Sequence, residues 1–405
     1  MSEQTQQDWT RIASIAHRLR SEVLTPIKQR LVGKDEIVEV LGVALAAGEN
    51  AFLLGPPGTG KSALVHELAN RLQGKTFDYL LTRFTEPSEL FGPFDLRRLR
   101  DGDLITNTDG MLPEADFVFL DELLNANSAI LNSLLLALNE RVFRRGRETV
   151  ALPMLMAVGA SNRLPEDDAL AALYDRFLLR VNCDNVDQSR LSEVLDAGWK
   201  LERSRSVDAV MNIDDIRELQ HAVNLVDLSN VAESYAGLVI RLREAGMPLS
   251  DRRVVRLQRV VAASAAICGR SFAEVSDFWI MRYIWDTPAQ VEPICAHVDA
   301  VLEKAGSNSA VNQETQAASP PTSVPANNTL THPMSDQRHG PDPEHLLSLL
   351  DEVAKNPSEA TAGHILTMLA ARVEWVESEE ARNSLRERTA HVRTLVGEAS
   401  GDSNT

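Results

Sequence analysis

Eight residues of this chain have the types and the order needed to wrap a polyphosphate. Gly55-Pro56-Pro57-Gly58-Thr59-Gly60-Lys61-Ser62 fits the pattern G-x-x-x-x-G-K-[ST] and lies between the apolar run AFLL and the helical sequence ALVHELA. The glycines allow a backbone path on which successive N–H groups face phosphate oxygens, which a Cβ would obstruct. A helix beginning at Lys61 adds the positive end of its dipole. The Lys61 ammonium can reach the β and γ phosphates, and the Ser62 hydroxyl can ligate Mg²⁺.

A second group lies downstream, where the apolar run FVFL ends in Asp121-Glu122. A carboxylate at the end of a strand can hold Mg²⁺, and its neighbour can polarise a water for attack on phosphorus. Asp121 is expected to be the metal-side carboxylate and Glu122 the base. Two adjacent carboxylates near one cation suit hydrolysis better than nucleotide storage.

The elements that must hold these groups are legible as short apolar runs. AFLL, FDYLLT, FVFL, MLMAVGA and FLLRV alternate with helix-length segments between residues 51 and 181. Continuous apolar runs, rather than period-2 alternation, predict strands buried on both faces, hence a parallel sheet covered by helices. IVEVLGVALAAGEN predicts a helix fed by a turn at LVGKDE, and RFTEPSELFGPFDLRRLRDGDLITNTDGMLPEA reads as loops or a small hairpin. The expected organisation is a helical segment over 1–32, an α/β nucleotide-binding domain over 33–187 and an all-α domain over 188–303. A Ser-, Asn-, Thr- and Pro-rich disordered linker follows over 304–342, then a small helical unit over 343–405 with Leu346, Leu349, Leu350 and Val353 on one stripe.

Composition narrows the function classes. Of 405 residues, 58 are acidic and 41 basic, a formal net charge of −17, which counts against a duplex DNA or RNA binder needing a basic surface. Neither a signal-peptide run nor eighteen consecutive apolar residues occur, so a cytoplasmic protein without a membrane segment is expected. Cys183, Cys268 and Cys295 are an odd, widely spaced set that predicts reduced thiols, and the nine histidines show no ligand spacing.

The ordered motifs together resemble the AAA+ ATPases: the phosphate loop, FVFLDE, AVGASN, LYDRFLLR and then LSDRR. Within that class LTRFTEPSELFGP, GMLPEADFVFLDE, LLLALNERVFRRG and LSDRR resemble the MoxR family, especially its RavA-type branch, over about residues 30 to 290. The resemblance implies a five-stranded parallel sheet, an α-helical lid and a homo-hexameric ring with ATP and Mg²⁺ at the subunit interfaces. By position, Asn162 resembles the sensor 1 residue and Arg176 the arginine finger that enters a neighbour's site; the alternative for Arg176 is a surface pair with Asp175. Arg141, Arg144 and Arg145 are further trans-acting or pore-side candidates, unranked. Val32 and Gly33 match the segment flanking the adenine, and the lack of an N-K-x-D pattern favours ATP over GTP. The segment after residue 305 departs from the RavA branch, so the partner of that branch is not implied.

In GMPLSDRRVVRLQR, Ser250 suits an N-cap, and Arg252, Arg256 and Arg259 share one face of a helix opposite Val254, Leu257 and Val261. By the resemblance Arg252 aligns with the sensor 2 arginine, reaching the γ phosphate of its own subunit's ATP, with Arg253 as the alternative. Arg256 and Arg259 read as surface or intersubunit charges. The implied function is ATP hydrolysis driving a chaperone ring that remodels a protein client, possible partners including von Willebrand factor A-domain (vWA) proteins. The competing readings are a nucleic-acid motor or restriction-type NTPase, which the net charge disfavours, and a metal-insertion ATPase like magnesium chelatase.

Overall fold

A computed structural model describes residues 3–94, 106–145, 148–165, 167–203, 209–314, 343–355 and 378–401, with positions 366, 369, 370, 373 and 376 between the last two segments. Nine strands occur among them: β1 (Ala51–Leu54), β2 (Leu72–Gln73), β3 (Thr76–Leu80), β4 (Phe117–Asp121), β5 (Val142–Arg145), β6 (Glu148–Ala151), β7 (Met156–Ser161), β8 (Leu179–Asn182) and β9 (Met211–Asn212). Five form the central sheet in the order β3-β4-β7-β1-β8, every pair parallel. The five apolar runs are these five strands. Phe52, Val118, Phe119 and Val158 are buried because helices cover both faces of the sheet. Since all five strands run the same way, their carboxyl ends share one edge, with Leu54, Ser161 and Asn182 in register there.

The helix Asp35–Ala47 carries an almost continuous apolar sequence and is buried nearly throughout; it ends where Gly48 takes the left-handed conformation. Around it lie the N-terminal helix Glu3–Arg18 and the lid helices Ile213–Val223 and Asp251–Ile267, and one hydrophobic cluster runs through all of them into the sheet. The N-terminal segment is therefore part of the main body, tied to Ile213–Val223 by Arg11–Glu218 at 2.6 Å and Arg18–Asp215 at 3.0 Å. β9, at the start of the helical region, pairs with β2 of the α/β unit, and Arg217 reaches back to Asp116 at 2.5 Å. The lid is thus sewn to its own core by apolar packing, a two-residue parallel pairing and partly exposed ion pairs.

Two expectations change. Pro87–Phe91, read as loop, is a short helix whose start is held by a reciprocal capping box between Glu86 and Glu89. The last lid helix, Val291–Glu314, continues past residue 304 into the segment expected to be linker; 315–342 lies outside the described residues. In the segment read as loops or a small hairpin, Phe94 and Thr106 form an antiparallel bridge, and the residues between them lie outside the described set. The helices Pro343–Lys355 and Glu379–Gly401 have their own core, built by Leu346, Leu350, Val353, Leu385 and Val392 with Leu349 at its margin. No described helix is long and apolar enough to cross a membrane, and the three cysteines are unpaired.

Candidate active site

The phosphate loop leaves β1 at Leu54. Gly55 must be glycine: its N–H bonds the Ser161 carbonyl at 3.1 Å, and an added Cβ would lie 2.2 Å from the carbonyl oxygen of Cys183. Gly60 has φ +84° and precedes the helix Lys61–Asn70, whose first turn thereby faces the loop. The Lys61 Nζ donates to the carbonyls of Gly55 at 2.8 Å and Pro56 at 2.9 Å, and the Thr59 hydroxyl donates to Pro56 at 2.9 Å. These bonds hold the loop as a compact bowl. Cys183 lies beneath it, its Sγ 3.6 Å from the Thr59 carbonyl, a support that no motif announces.

Ser62 and Asp121 come together across the sheet. The Ser62 hydroxyl donates to Asp121 Oδ2 at 3.1 Å, while Asp121 Oδ1 accepts the Glu122 N–H at 2.9 Å. A hydroxyl and a carboxylate side by side are the hard oxygen donors that suit Mg²⁺, which commonly takes one or two protein oxygens and completes its shell with phosphate and water. Glu122 has φ +48°, one of two non-glycine residues in the left-handed region among the described residues, at a cost of about 1–2 kcal/mol. Strain of this kind concentrates at functional positions, because it fixes a side-chain direction that relaxed backbone would not. Asn162 directly follows β7, the strand between β1 and β4, and so lies between the phosphate loop and the acidic pair; it is exposed.

Val32 and Gly33 flank the same region. Gly33 has φ +71° and packs its Cα against Val186, and Lys34 Nζ donates to the Asp184 carbonyl at 2.5 Å. Residues 183–186 therefore link this turn to the underside of the phosphate loop. A cavity of about 400 Å³ opens beside it, lined by Val32, Arg30, Asp196 and Lys200 among others.

The arginines lie elsewhere. Asn50, just before β1, donates to the Leu138 carbonyl at 3.2 Å and the Arg176 carbonyl at 3.3 Å. Next to Leu138, Asn139 accepts a 2.6 Å bond from Arg252 Nη2. Arg176 and Arg252 thus gather at the N-terminal edge of the sheet. From Asn50 to Gly55 is five residues of strand, roughly 16 Å, so Arg252 is held away from its own phosphate loop, which corrects the expectation that it reads its own subunit's γ phosphate. The cause is the packing of the lid helix on Asp35–Ala47, which carries its N-terminus to the strand starts. Arg253 does not reach the loop either: it is buried against Asp286 and the Ile284 carbonyl.

The helix itself is as read, with Ser250 accepting the Arg253 N–H at 3.3 Å and Leu257 and Val261 buried. Arg256 is not a free surface charge but pairs with Glu49, and Arg259 donates to the Gln220 carbonyl at 3.4 Å. Arg176 pairs with Asp175 at 3.3 Å and is half-buried, its Nε without a partner. Arg141 is turned inward, donating to the Gly48 carbonyl and Asn50 Oδ1 near 3 Å, and loss of water pushes its guanidinium down to about 10. Arg144 is exposed on the β5–β6 hairpin at 3.7 Å from Glu140, and the side chain of Arg145 lies outside the described set.

Residues 17–221, half of the chain, match the MoxR domain of the MoxR-vWA-beta-propeller ternary systems, and residues 224–298 match an AAA lid domain. The chain belongs to the MoxR family of AAA+ ATPases. Among its relatives, an uncharacterized protein of Methanocaldococcus jannaschii is 34% identical over 65% of this chain and 70% of its own length. The chaperone MoxR1 of Mycobacterium tuberculosis is 28% identical over 42% of this chain and 45% of its own. A crystal structure of a candidate ATPase from Cytophaga hutchinsonii shares the fold at a TM-score of 0.60, with 19% identity over 75% of this chain and 98% of that one. The matched MoxR grouping is that of the vWA-beta-propeller systems, and this match does not by itself confirm the RavA-type branch that the motifs resemble.

Proposed function

We propose that this MoxR-type protein hydrolyses ATP to ADP and phosphate as a ring of six copies and uses the cycle to remodel a protein client in the cytoplasm. The observation that carries the reading is the 3.1 Å contact of Ser62 with Asp121 below a phosphate loop, beside a Glu122 strained into the left-handed region. In this reading the triphosphate lies along Gly55, Pro56, Pro57, Gly58, Thr59 and Gly60, with the base near Val32 and Gly33. Lys61 exchanges the Gly55 and Pro56 carbonyls for β and γ phosphate oxygens. Ser62 and Asp121 would hold Mg²⁺, which supplies charge neutralisation at the phosphates. Glu122 takes the proton of the attacking water, and Asn162 orients that water.

Arg176 and Arg252 complete a neighbour's site rather than their own. This is supported by their shared position at the sheet edge remote from their own phosphate loop, and by the value of a guanidinium against the charge of the transferring phosphoryl group. A ring in which the N-terminal edge of one subunit meets the phosphate loop of the next uses both edges once, as a closed heterologous interface requires.

The family description names vWA and beta-propeller proteins as components of its systems, which makes a vWA protein the first client or partner to test. The deciding experiment is affinity capture with Glu122→Gln, which should bind ATP without turning it over and retain the client. Capture that is identical with and without ATP would count against nucleotide-driven remodelling. Stimulation of the ATPase by single- or double-stranded DNA would instead favour the nucleic-acid motor.

A further inference from the structure

A buried charge cluster joins the sheet to the lid. Arg180, in β8, has a side chain 1% exposed, and Arg253, in the lid helix, has one 7% exposed; both bind Asp286. Arg180 Nη1 donates to Asp286 Oδ1 at 2.6 Å, and Arg253 Nη1 donates to both carboxylate oxygens, at 2.8 and 3.1 Å. Arg180 also donates to the carbonyls of Trp285 at 2.9 Å and Tyr174 at 3.3 Å, and stacks 4.3 Å over the Tyr174 ring. Arg253 donates in addition to the Ile284 carbonyl.

Two buried cations share one carboxylate that is itself 27% exposed, which leaves an excess positive charge on the buried side of the cluster. Burial and the nearness of Arg253 both hold the Arg180 guanidinium below its ordinary pKa, and Nε of each arginine and the Tyr174 hydroxyl have no partner. Stability alone is a poor reason for such a cluster, since apolar residues of similar volume usually serve as well or better. Orientation is a better one. Tyr174 stands two residues before Arg176, and Arg253 follows Arg252, so one carboxylate is linked to the chain beside both arginines, to Arg253 directly and to Tyr174 through Arg180.

We propose that Asp286 is a positioning residue for phosphoryl transfer: through Arg180 and Arg253 it fixes Arg176 and Arg252 relative to each other, so that both meet a neighbouring subunit's nucleotide together. This inference rests on the reading that those arginines act in trans. Asp286→Asn should lower kcat by roughly 10- to 100-fold, the cost of misplacing a transition-state contact by about an ångström, with KM for ATP changed by less than about twofold.

The test is complementation in co-expressed mixed rings. Lys61→Ala subunits lack a working phosphate loop but keep Arg176, Arg252 and Asp286; Asp286→Asn subunits have the converse defect. Mixed one to one, they should recover roughly a quarter of the wild-type rate, because half of the sites retain Lys61 and half of those face an intact arginine pair. The control mixture pairs Arg176→Ala with Lys61→Ala. Recovery in both mixtures supports the proposal. Recovery in the control alone overturns it, since Asp286 would then act within its own subunit. Failure of the control overturns the trans reading itself and this inference with it. Should Asp286→Asn not fold, judged by its Tm, Asp286→Glu keeps the charge, displaces the carboxylate by one methylene and enters the same mixtures with the same outcomes.

Discussion

The Ser62 hydroxyl donates to Asp121 Oδ2 at 3.1 Å, joining the first turn of the phosphate-loop helix to the end of a strand two places away in the sheet. β7 lies between β1 and β4, and its end delivers Asn162 into the gap. Asp121→Ala removes the carboxylate to which that hydroxyl donates. The expected result is loss of Mg²⁺-dependent turnover by at least about 100-fold, with the chain still folded. Steady-state phosphate release against MgCl₂ concentration checks it.

Glu122 sits at φ +48°, where glycine is at ease and glutamate is not. Glu122→Gly should therefore abolish hydrolysis while leaving the chain as stable as wild type or more so by about 0.5–1 kcal/mol. Denaturant unfolding monitored by circular dichroism gives the answer. A clear loss of stability would mean that the left-handed backbone is supported by side-chain contacts of Glu122 rather than strained.

Gly55 is constrained by a neighbour rather than by its own φ. An alanine there would put Cβ 2.2 Å from the Cys183 carbonyl oxygen, a backbone atom that cannot swing aside. Gly55→Ala should cost about 1–3 kcal/mol and weaken binding of a fluorescent ATP analogue, whereas Gly58→Ala should spare stability more, since no atom lies within 4 Å of its added Cβ. Its φ of +81° still charges a backbone cost of about 1 kcal/mol.

How much of this is legible in the sequence depends on the range of the interaction. AFLL is β1 residue for residue, because a strand buried on both faces must be apolar throughout. The phosphate loop and Asp121-Glu122 are legible because their chemistry is local in sequence. Asn50 and Asp286 are not. Asn50 is an unremarked polar residue before a strand, yet it ties Leu138, Arg141, Ala157 and Arg176 together. Asp286 meets a partner 106 residues away, and no spacing rule reports that. The position of Arg252 fails for a related reason: the wheel places it on the polar side of its helix, but which end of the sheet that helix meets is decided by packing against Asp35–Ala47.

Two thiols, the buried Cys295 and the partly buried Cys268, give a pH-dependent check on packing. Burial pushes Cys268 and Cys295 up to about 11. A raised value keeps each thiol protonated until the pH approaches it, so at pH 8 the thiolate fraction is about 0.1%, against about a quarter for an ordinary exposed cysteine. Both residues should react slowly with a disulfide reagent in the native protein at pH 8, faster as pH rises, and fully after denaturation. Rapid stoichiometric labelling at pH 8 would mean that the helices around them open readily.

Arg176→Ala and Arg252→Ala address the trans edge separately from the phosphate loop. Each should lower kcat, Arg176→Ala by about 100-fold or more, while the affinity of an isolated subunit for ATP stays near wild type. Equilibrium binding and steady-state turnover on the same preparations separate the two effects. A loss of ATP affinity equal to the loss of kcat would place these arginines in ground-state binding.

The most direct measurement is ATP turnover by the full chain with Mg²⁺, compared between wild type and Glu122→Gln. Wild type is expected to release phosphate, and Glu122→Gln to bind ATP with similar affinity but release phosphate at least about 100-fold more slowly, the contribution of a well-placed general base. Equal turnover by the two proteins, or none by wild type in the presence of its partners, would contradict the assignment of this site as an ATPase centre.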